Sequence, residues 1–150
     1  MNFLQKIVEK LYLRINDNLV YFDSVTKCKT RFYYDTIAKP KYQKIECYVI
    51  FVDIDNLKYI NDTRGHSYGT KVIKQVGDNL RNLYGIYDVC RIGGDEFVIF
   101  ATSNFDINDL KHINHISYGY YRKEKYEDVS SAIKKADELM YNMKNIKKSR

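Results

Sequence analysis

The chain has 150 residues, 45% hydrophobic and 29% charged, which suits one soluble globular domain with its own core and excludes a disordered or fibrous chain. A net charge of +6 fits phosphate-bearing ligands, whether nucleotide, nucleic acid or anionic lipid, without choosing among them. Cys28, Cys47 and Cys90 have neither zinc spacing nor an even disulfide framework, no apolar run reaches the ~20 residues of a membrane span, and Met1 to Arg14 lacks the pattern of a secretory leader; reduced thiols in a cytoplasmic protein are expected, with no membrane partner.

Phe3, Leu4, Ile7, Val8, Leu11, Tyr12 and Ile15 recur at helical spacing and predict an amphipathic helix over about residues 3–15. It has two possible roles, packing on its own domain, which we favour, or serving as a dimer face. Asp23-Ser24-Val25-Thr26 reads as a capping turn. A second helix is expected from Lys27 to Lys39, with Pro40 helping to end it. Ile45 to Phe51 is β-prone and apolar, as a buried central strand should be, and it runs into Asp53-Ile54-Asp55. Asn56 to Asp62 predicts a short helix, broken by Gly65-His66. Residues 67–84 predict a long helix with Val72, Ile73, Val76, Leu80 and Leu83 on one stripe. Ile86 to Ile92 and Phe97 to Ala101 read as two strands joined in a hairpin at Gly93-Gly94. A short helix within Phe105 to Ile113, a strand Ile116 to Tyr121 and a helix Val129 to Lys144 follow, the last with Ile133, Ala136, Leu139, Met140 and Met143 as its apolar face. The order is βαββαβ, an α+β, ferredoxin-like fold with extra N- and C-terminal helices, divided as residues 1–20 for the first helix and 21–150 for the domain. No sensor domain is expected ahead of it.

Asp95 and Glu96 follow the paired glycines directly. Adjacent carboxylates at a hairpin apex repel each other and add nothing to a core. They make sense beside a cation, and the bare glycines admit a ligand to the backbone; an acidic β-turn is the plainer alternative. Asp53 and Asp55 at a strand end are the second acidic group. If the strands are neighbours, about 4.8 Å apart, Asp53 faces Asp95. Asp53, Asp55, Asp95 and Glu96 form an oxygen-rich, thiol-free set that suits Mg²⁺ or Mn²⁺. Two such ions ~3.5–4 Å apart serve phosphoryl transfer. Without a ligand this set should be strained by repulsion. The helix start at Asn56, Leu57 and Lys58 offers backbone N–H groups to phosphates. Lys144, Lys147 and Lys148 offer point charges, or form an ordinary solvated basic helix end.

These motifs together resemble the GGDEF domain of diguanylate cyclases. The resemblance rests on Asp53-Ile54-Asp55-Asn56-Leu57-Lys58-Tyr59-Ile60-Asn61-Asp62-Thr63, Gly65-His66, Gly93-Gly94-Asp95-Glu96-Phe97, Asp23-x-x-Thr26 and Ala136-Asp137-x-x-Met140-Tyr141-x-x-Lys144, over roughly residues 20–148. It implies a nucleotidyl-transferase palm of nucleotide cyclase type. Two subunits each hold one nucleoside triphosphate, GTP and/or ATP. They condense them into a cyclic dinucleotide, c-di-GMP or c-di-AMP, with release of pyrophosphate, and a downstream receptor reads the product. It further implies that Asp53, Asp95 and the Ile54 carbonyl hold two Mg²⁺ or Mn²⁺ ions, that Glu96 sits beside the attacking hydroxyl, that Gly94 lies against the nucleotide, that Asn61 reads the base (or merely caps a helix end), and that Lys144 and Lys148 bind phosphate.

Three departures stand out. Thr70 replaces the Asp expected to pair with guanine, so adenine should be tolerated. The Arg-x-x-Asp product-inhibition motif falls on Tyr84-Gly85-Ile86-Tyr87 and is absent, so no feedback is expected through it. The segment after the hairpin is short, a trait similar to the stand-alone minimal CRISPR polymerases (mCpol) of antiphage signalling, which would use ATP. A nucleotide-binding module without turnover is the rival expectation. Nucleic-acid binding has no basic-aromatic motif behind it.

Overall fold

The structure, a computed structural model, describes residues 1–85, 87–102 and 105–150. Strands β1 (Cys47–Ile54), β2 (Asp88–Arg91), β3 (Glu96–Ala101) and β4 (Ile116–Lys123) form one sheet in the order β2-β3-β1-β4, antiparallel throughout. This is the expected βαββαβ palm. Side chains alternate along β1, so the strand feeds two cores. Ile50, Val52 and Ile54 join Phe97 and Ile99 beneath Val72, Ile73, Val76 and Leu80 of α5 (His66–Tyr84). Val49 and Phe51 join Val98 and Phe100 beneath Ala132, Ile133, Ala136 and Met140 of α6 (Val129–Lys148). Leu83 and Leu139, expected on these apolar faces, stay exposed, and Tyr84 fills the place of Leu83. The same alternation aims Asp53 at the α6 side.

Helix α1 (Phe3–Tyr21) is longer than predicted and opens with a capping box, Asn2 with Gln5. None of its residues is buried, which overturns the expectation that it packs on its own domain. Near its end Tyr21 rests against Phe32 and Tyr33, and the Val20 and Tyr21 carbonyls accept from Thr30. The second helical segment begins at Arg31, not Lys27. Lys27 is left-handed (φ 60°), and Lys29 is tied to the edge of β2 through Val89 and Arg91. Pro40 does not end this segment. After α2 (Arg31–Tyr33) and a π turn (Tyr34–Ala38), α3 (Lys39–Tyr42) starts with Pro40 in its first turn, where a missing N–H costs nothing.

The first strand of the hairpin is short; of its predicted start, Ile86 lies outside the described residues. Among the described residues between β3 and β4 the one element is a 3₁₀ turn, Ile107–His112. Two buried polar groups pin the periphery. Asp88 accepts from the Tyr33 and Tyr42 hydroxyls and from Lys41, each at 2.9 Å. Lys123, fully buried, donates to the carbonyls of Gln43, Ile45, Glu124 and Lys125.

Candidate active site

Asp53 is the last but one residue of β1, opposite Glu96 on β3 and Ser117 on β4. Antiparallel partners share a face, so the three form a row turned toward α6. Glu96 is thus a strand residue and not part of the turn, as its place after the glycines implied. The loop at 92–95 closes over the row: the Ile54 N–H donates to the Asp95 carbonyl at 2.8 Å, and the Ile92 N–H to the Glu96 carbonyl at 2.9 Å. Asp95 therefore stands beside Asp53, close enough for its charge to act there.

The two glycines serve different ends. A Cβ on Gly93 would lie 2.6 Å from Glu96 Oε2, so the bare position lets Glu96 fold over the loop. A Cβ on Gly94 would meet nothing within 4 Å, so open space lies above it. Arg91 braces the loop, donating to the Gly94 carbonyl at 2.8 Å and to both Asp23 oxygens at 3.1 and 3.2 Å. Asp23 in turn accepts from the N–H and hydroxyl of Thr26. Arg91 has no role legible in the sequence, because Asp23 lies 68 positions away and meets it only once the capping turn has come to rest.

Lys144 reaches back from α6 to donate to Asp53 Oδ1. Lys147, one turn on, donates to Asp55 Oδ2 at 2.9 Å and to the Ile116 carbonyl, while the Ser117 hydroxyl donates to Asp55 Oδ1 at 2.6 Å. The carboxylates are therefore partly neutralised from within, which eases the repulsion expected of this set without removing it. The neutralisation is incomplete. Burial, with Asp95 and Asp55 adding, pushes the Asp53 carboxyl above its ordinary value despite Lys144. Burial, Asp95 and Asp53 push Glu96 up. Burial works against the charge on Lys144, yet Asp53, Asp55 and Asp95 raise it overall. Upward shifts on acids and base alike mark a cluster short of positive charge.

Asp55, expected in the metal set, turns to Ser117 and Lys147. Among the described residues no three His, Cys, Asp or Glu side chains gather closely enough to hold an ion alone. What remains is Asp53 and Asp95, with Ile54 tied to Asp95 through its N–H; the Ile54 side chain is buried in the core, so it could offer an ion its carbonyl alone. That oxygen set fits Mg²⁺ or Mn²⁺, which take one or two carboxylates plus substrate phosphates.

Beside this row, Lys144, Lys147 and Lys148 line a hollow of about 130 Å³ with Asp55 and Asn56. Asn56 is left-handed (φ 56°) and opens α4 (Leu57–Arg64) without a side-chain cap, so the first-turn N–H groups, including those of Leu57 and Lys58, face outward unclaimed by a capping side chain. Asn61 lies next door in α4. Its side chain does not cap the helix; the Asn61 carbonyl accepts from Gly65, and a Cβ on Gly69 would come 1.8 Å from Asn61 Oδ1. Gly69 thus admits the carboxamide between α4 and α5. Thr70 is exposed, its hydroxyl donating to the His66 carbonyl at 2.9 Å.

The diguanylate cyclase GGDEF domain model matches residues 20–113, more than half of the chain. The diguanylate cyclase DgcS of Shewanella oneidensis is 31% identical over 107 residues, 67% of this chain and 36% of that protein. The diguanylate cyclase DgcP of Escherichia coli is 41% identical over 66 residues, 42% of this chain and 19% of that protein. The chain therefore spans little more than a third of these curated relatives at most. Among solved structures, the coiled coil and GGDEF domain of DgcB from Caulobacter crescentus, in complex with c-di-GMP, shares the fold with a TM-score of 0.80 at 20% identity, covering 94% of this chain and 90% of that one. These similarities fall on the diguanylate cyclase side and lend the minimal CRISPR polymerase resemblance no support.

Proposed function

This chain belongs to the GGDEF domain family, and from that membership we propose that it is a nucleotidyl cyclase joining two nucleoside triphosphates into a cyclic dinucleotide with release of pyrophosphate. The supporting observation is the row of Asp53 and Glu96 closed by Asp95, with open space over Gly94 and a lysine-lined hollow alongside. Asp53, Asp95 and the Ile54 carbonyl are the groups that would hold Mg²⁺ or Mn²⁺, two ions per site, which would supply Lewis-acid polarisation of the α-phosphate and a lowered pKa for the attacking hydroxyl. Glu96 stands beside that 3′-hydroxyl, and its raised pKa suits accepting the proton. The N–H groups at Asn56, Leu57 and Lys58, with Lys144 and Lys148, receive the phosphates. Asn61 and Thr70 border the base.

GTP is the substrate that membership favours, and Thr70 opens the site to ATP. An Asp would accept from both guanine N1–H and the 2-amino group; a threonine hydroxyl offers one such contact. Each site carries half of a symmetric reaction, so the working form is a homodimer. The unburied stripe of α1 supplies a seam, because Leu4, Val8, Leu11 and Ile15 follow at four-, three- and four-residue steps, with β-branched residues alternating with leucine as in two-stranded parallel coils. The product would act through a downstream receptor, in the cytoplasm. Among the described residues no helix is long and apolar enough to cross a membrane.

Incubation with Mg²⁺ and GTP, ATP or both, read by mass spectrometry, tests this. A cyclic dinucleotide that disappears in Asp95→Ala is expected. Nucleotide binding with no product under any condition would reduce the domain to a nucleotide-holding module.

A further inference from the structure

The end of α6 delivers two ammonium groups to the two carboxylates of Asp53-Ile54-Asp55. Lys144 takes Asp53 and Lys147 takes Asp55, three residues apart and so on one helix face. The Asp53 pair is largely shielded, its side chains 10% and 21% exposed. The carboxylate hydrogen-bonded to Lys144 is Asp53, and the charges of Asp55 and Asp95 further favour its ammonium form. Both lysines also line the hollow beside Asn56, at the uncapped start of α4. Each ammonium sits on a flexible four-carbon stem within reach of two alternative anions: a carboxylate of the protein, and any phosphate lodged in the hollow.

We propose that Lys144 is a placeholder cation, which holds Asp53 while the site has no nucleotide and moves to the phosphates when a triphosphate enters, freeing Asp53 for a divalent ion. The proposal rests on the nucleotide-cyclase reading of the site. An ammonium and a divalent ion on one carboxylate oxygen repel each other strongly in a shielded site. A bare ion must therefore displace Lys144 with nothing to receive it. A triphosphate gives the lysine a new partner, so ion and nucleotide each favour the other's binding, and the coupling is reciprocal. Lys147 on Asp55 is freed in the same way, and Ser117 keeps Asp55 in place meanwhile.

The test is Mn²⁺ binding to the full chain, followed by electron paramagnetic resonance, with and without a non-hydrolysable triphosphate. In the wild type, the triphosphate should tighten Mn²⁺ binding about tenfold or more. Lys144→Met keeps the stem and removes the charge; it should bind Mn²⁺ alone about tenfold more tightly than the wild type and lose most of the coupling. Lys144→Arg keeps the charge and should retain weak nucleotide-free binding; circular dichroism checks that both variants fold, and Lys144→Gln replaces the methionine if it does not. Nucleotide-free Mn²⁺ affinity that is unchanged or weaker in the neutral variant overturns the placeholder role. If the wild type still turns over nucleotide in that case, the cyclase reading stands alone; if no arm binds Mn²⁺ and no product forms, both fall.

Discussion

Gly119→Ala is expected to unseat α6 from the sheet. Gly119 lies on β4 opposite Phe51, where α6 crosses the strand. A Cβ there would come 2.2 Å from the Ala136 carbonyl oxygen, 2.3 Å from the Met140 nitrogen and 2.7 Å from Leu139 Cβ. Two of these are main-chain atoms of a 20-residue helix, and they cannot step aside singly. Ordinary carbon contacts lie near 3.5 Å, so the helix must withdraw by about 1 Å. Overpacking costs about 1–3 kcal/mol, and collision with a rigid main chain belongs at the upper end. At roughly 2–4 °C per kcal/mol for a chain of this length, about 3 kcal/mol lowers Tm by about 6–12 °C. Lys144 lies four residues beyond Met140, ~6 Å along the axis at ~1.5 Å per residue, so the lysine hollow moves with the helix. Thermal unfolding by circular dichroism, paired with nucleotide titration, reads both effects. A variant within about 0.5 kcal/mol of the wild type would refute the close approach of α6 to β4.

Gly69→Ala should separate stability from binding: it collides only with the flexible end of Asn61, so stability should hold within about 1 kcal/mol while nucleotide affinity falls about tenfold, and unchanged affinity would count against Asn61 as a base reader. Thr70→Asp should raise the guanine share of product from a GTP and ATP mixture about tenfold, measured by mass spectrometry; an unaltered share would dismiss position 70 as a selector. Burial opposes the charge on Asp88, but Lys41, Tyr42 and Tyr33 outweigh it and hold its pKa below 3.8. A depressed folded pKa contributes stability above the unfolded value and loses it as pH falls below it, so Asp88→Asn should cost about 1–3 kcal/mol at neutral pH and flatten the acid limb of the unfolding curve. Asp53 and Glu96 have raised folded values, so their ionisation costs stability as pH rises past the unfolded values of 3.8 and 4.5. Mg²⁺ with a non-hydrolysable triphosphate should therefore stabilise at pH 7, by about 2.7 kcal/mol at a hundredfold excess over Kd, and not at pH 4; equal stabilisation at both would argue against these carboxylates as the site.

The strands and long helices were legible because β1 and β3 are short β-prone apolar runs and the helices carry clear apolar stripes. Val49 to Ile54 and Phe97 to Ala101 supply two cores by simple alternation, and the α5 stripe showed its period directly. Segment boundaries were less legible where one residue's conformation decides them. Lys27 takes a left-handed turn with no glycine to announce it, and Pro40 enters a first turn, where it is tolerated, after a π turn that no sequence period reveals. The exposure of α1 was invisible for another reason: an amphipathic stripe is the same whether its partner is this domain or another chain. Within the site, the acidic residues and glycines were readable from their poor fit to a core. The pairing of Lys144 with Asp53, of Lys147 with Asp55 and of Arg91 with Asp23 was not, since it depends on where α6 and the capping turn come to rest.

Core and candidate site depend on one register. Asp53 faces α6 because Val49 and Phe51 do, and Glu96 because Val98 and Phe100 do. A one-residue slip of β1 would send Val49 and Phe51 to the α5 side, and Asp53 with them, away from Lys144 and Glu96. Burying the Asp53 carboxylate in the apolar core under α5, with no lysine to meet it, makes such a slip prohibitive, so the core that sets the register also fixes the acidic row. The chain can then tolerate an acidic cluster that burial and mutual repulsion disfavour. The stability comes from apolar contacts a few residues up the same strands, and α6, seated on those contacts at Met140, carries Lys144 to Asp53 one turn further on.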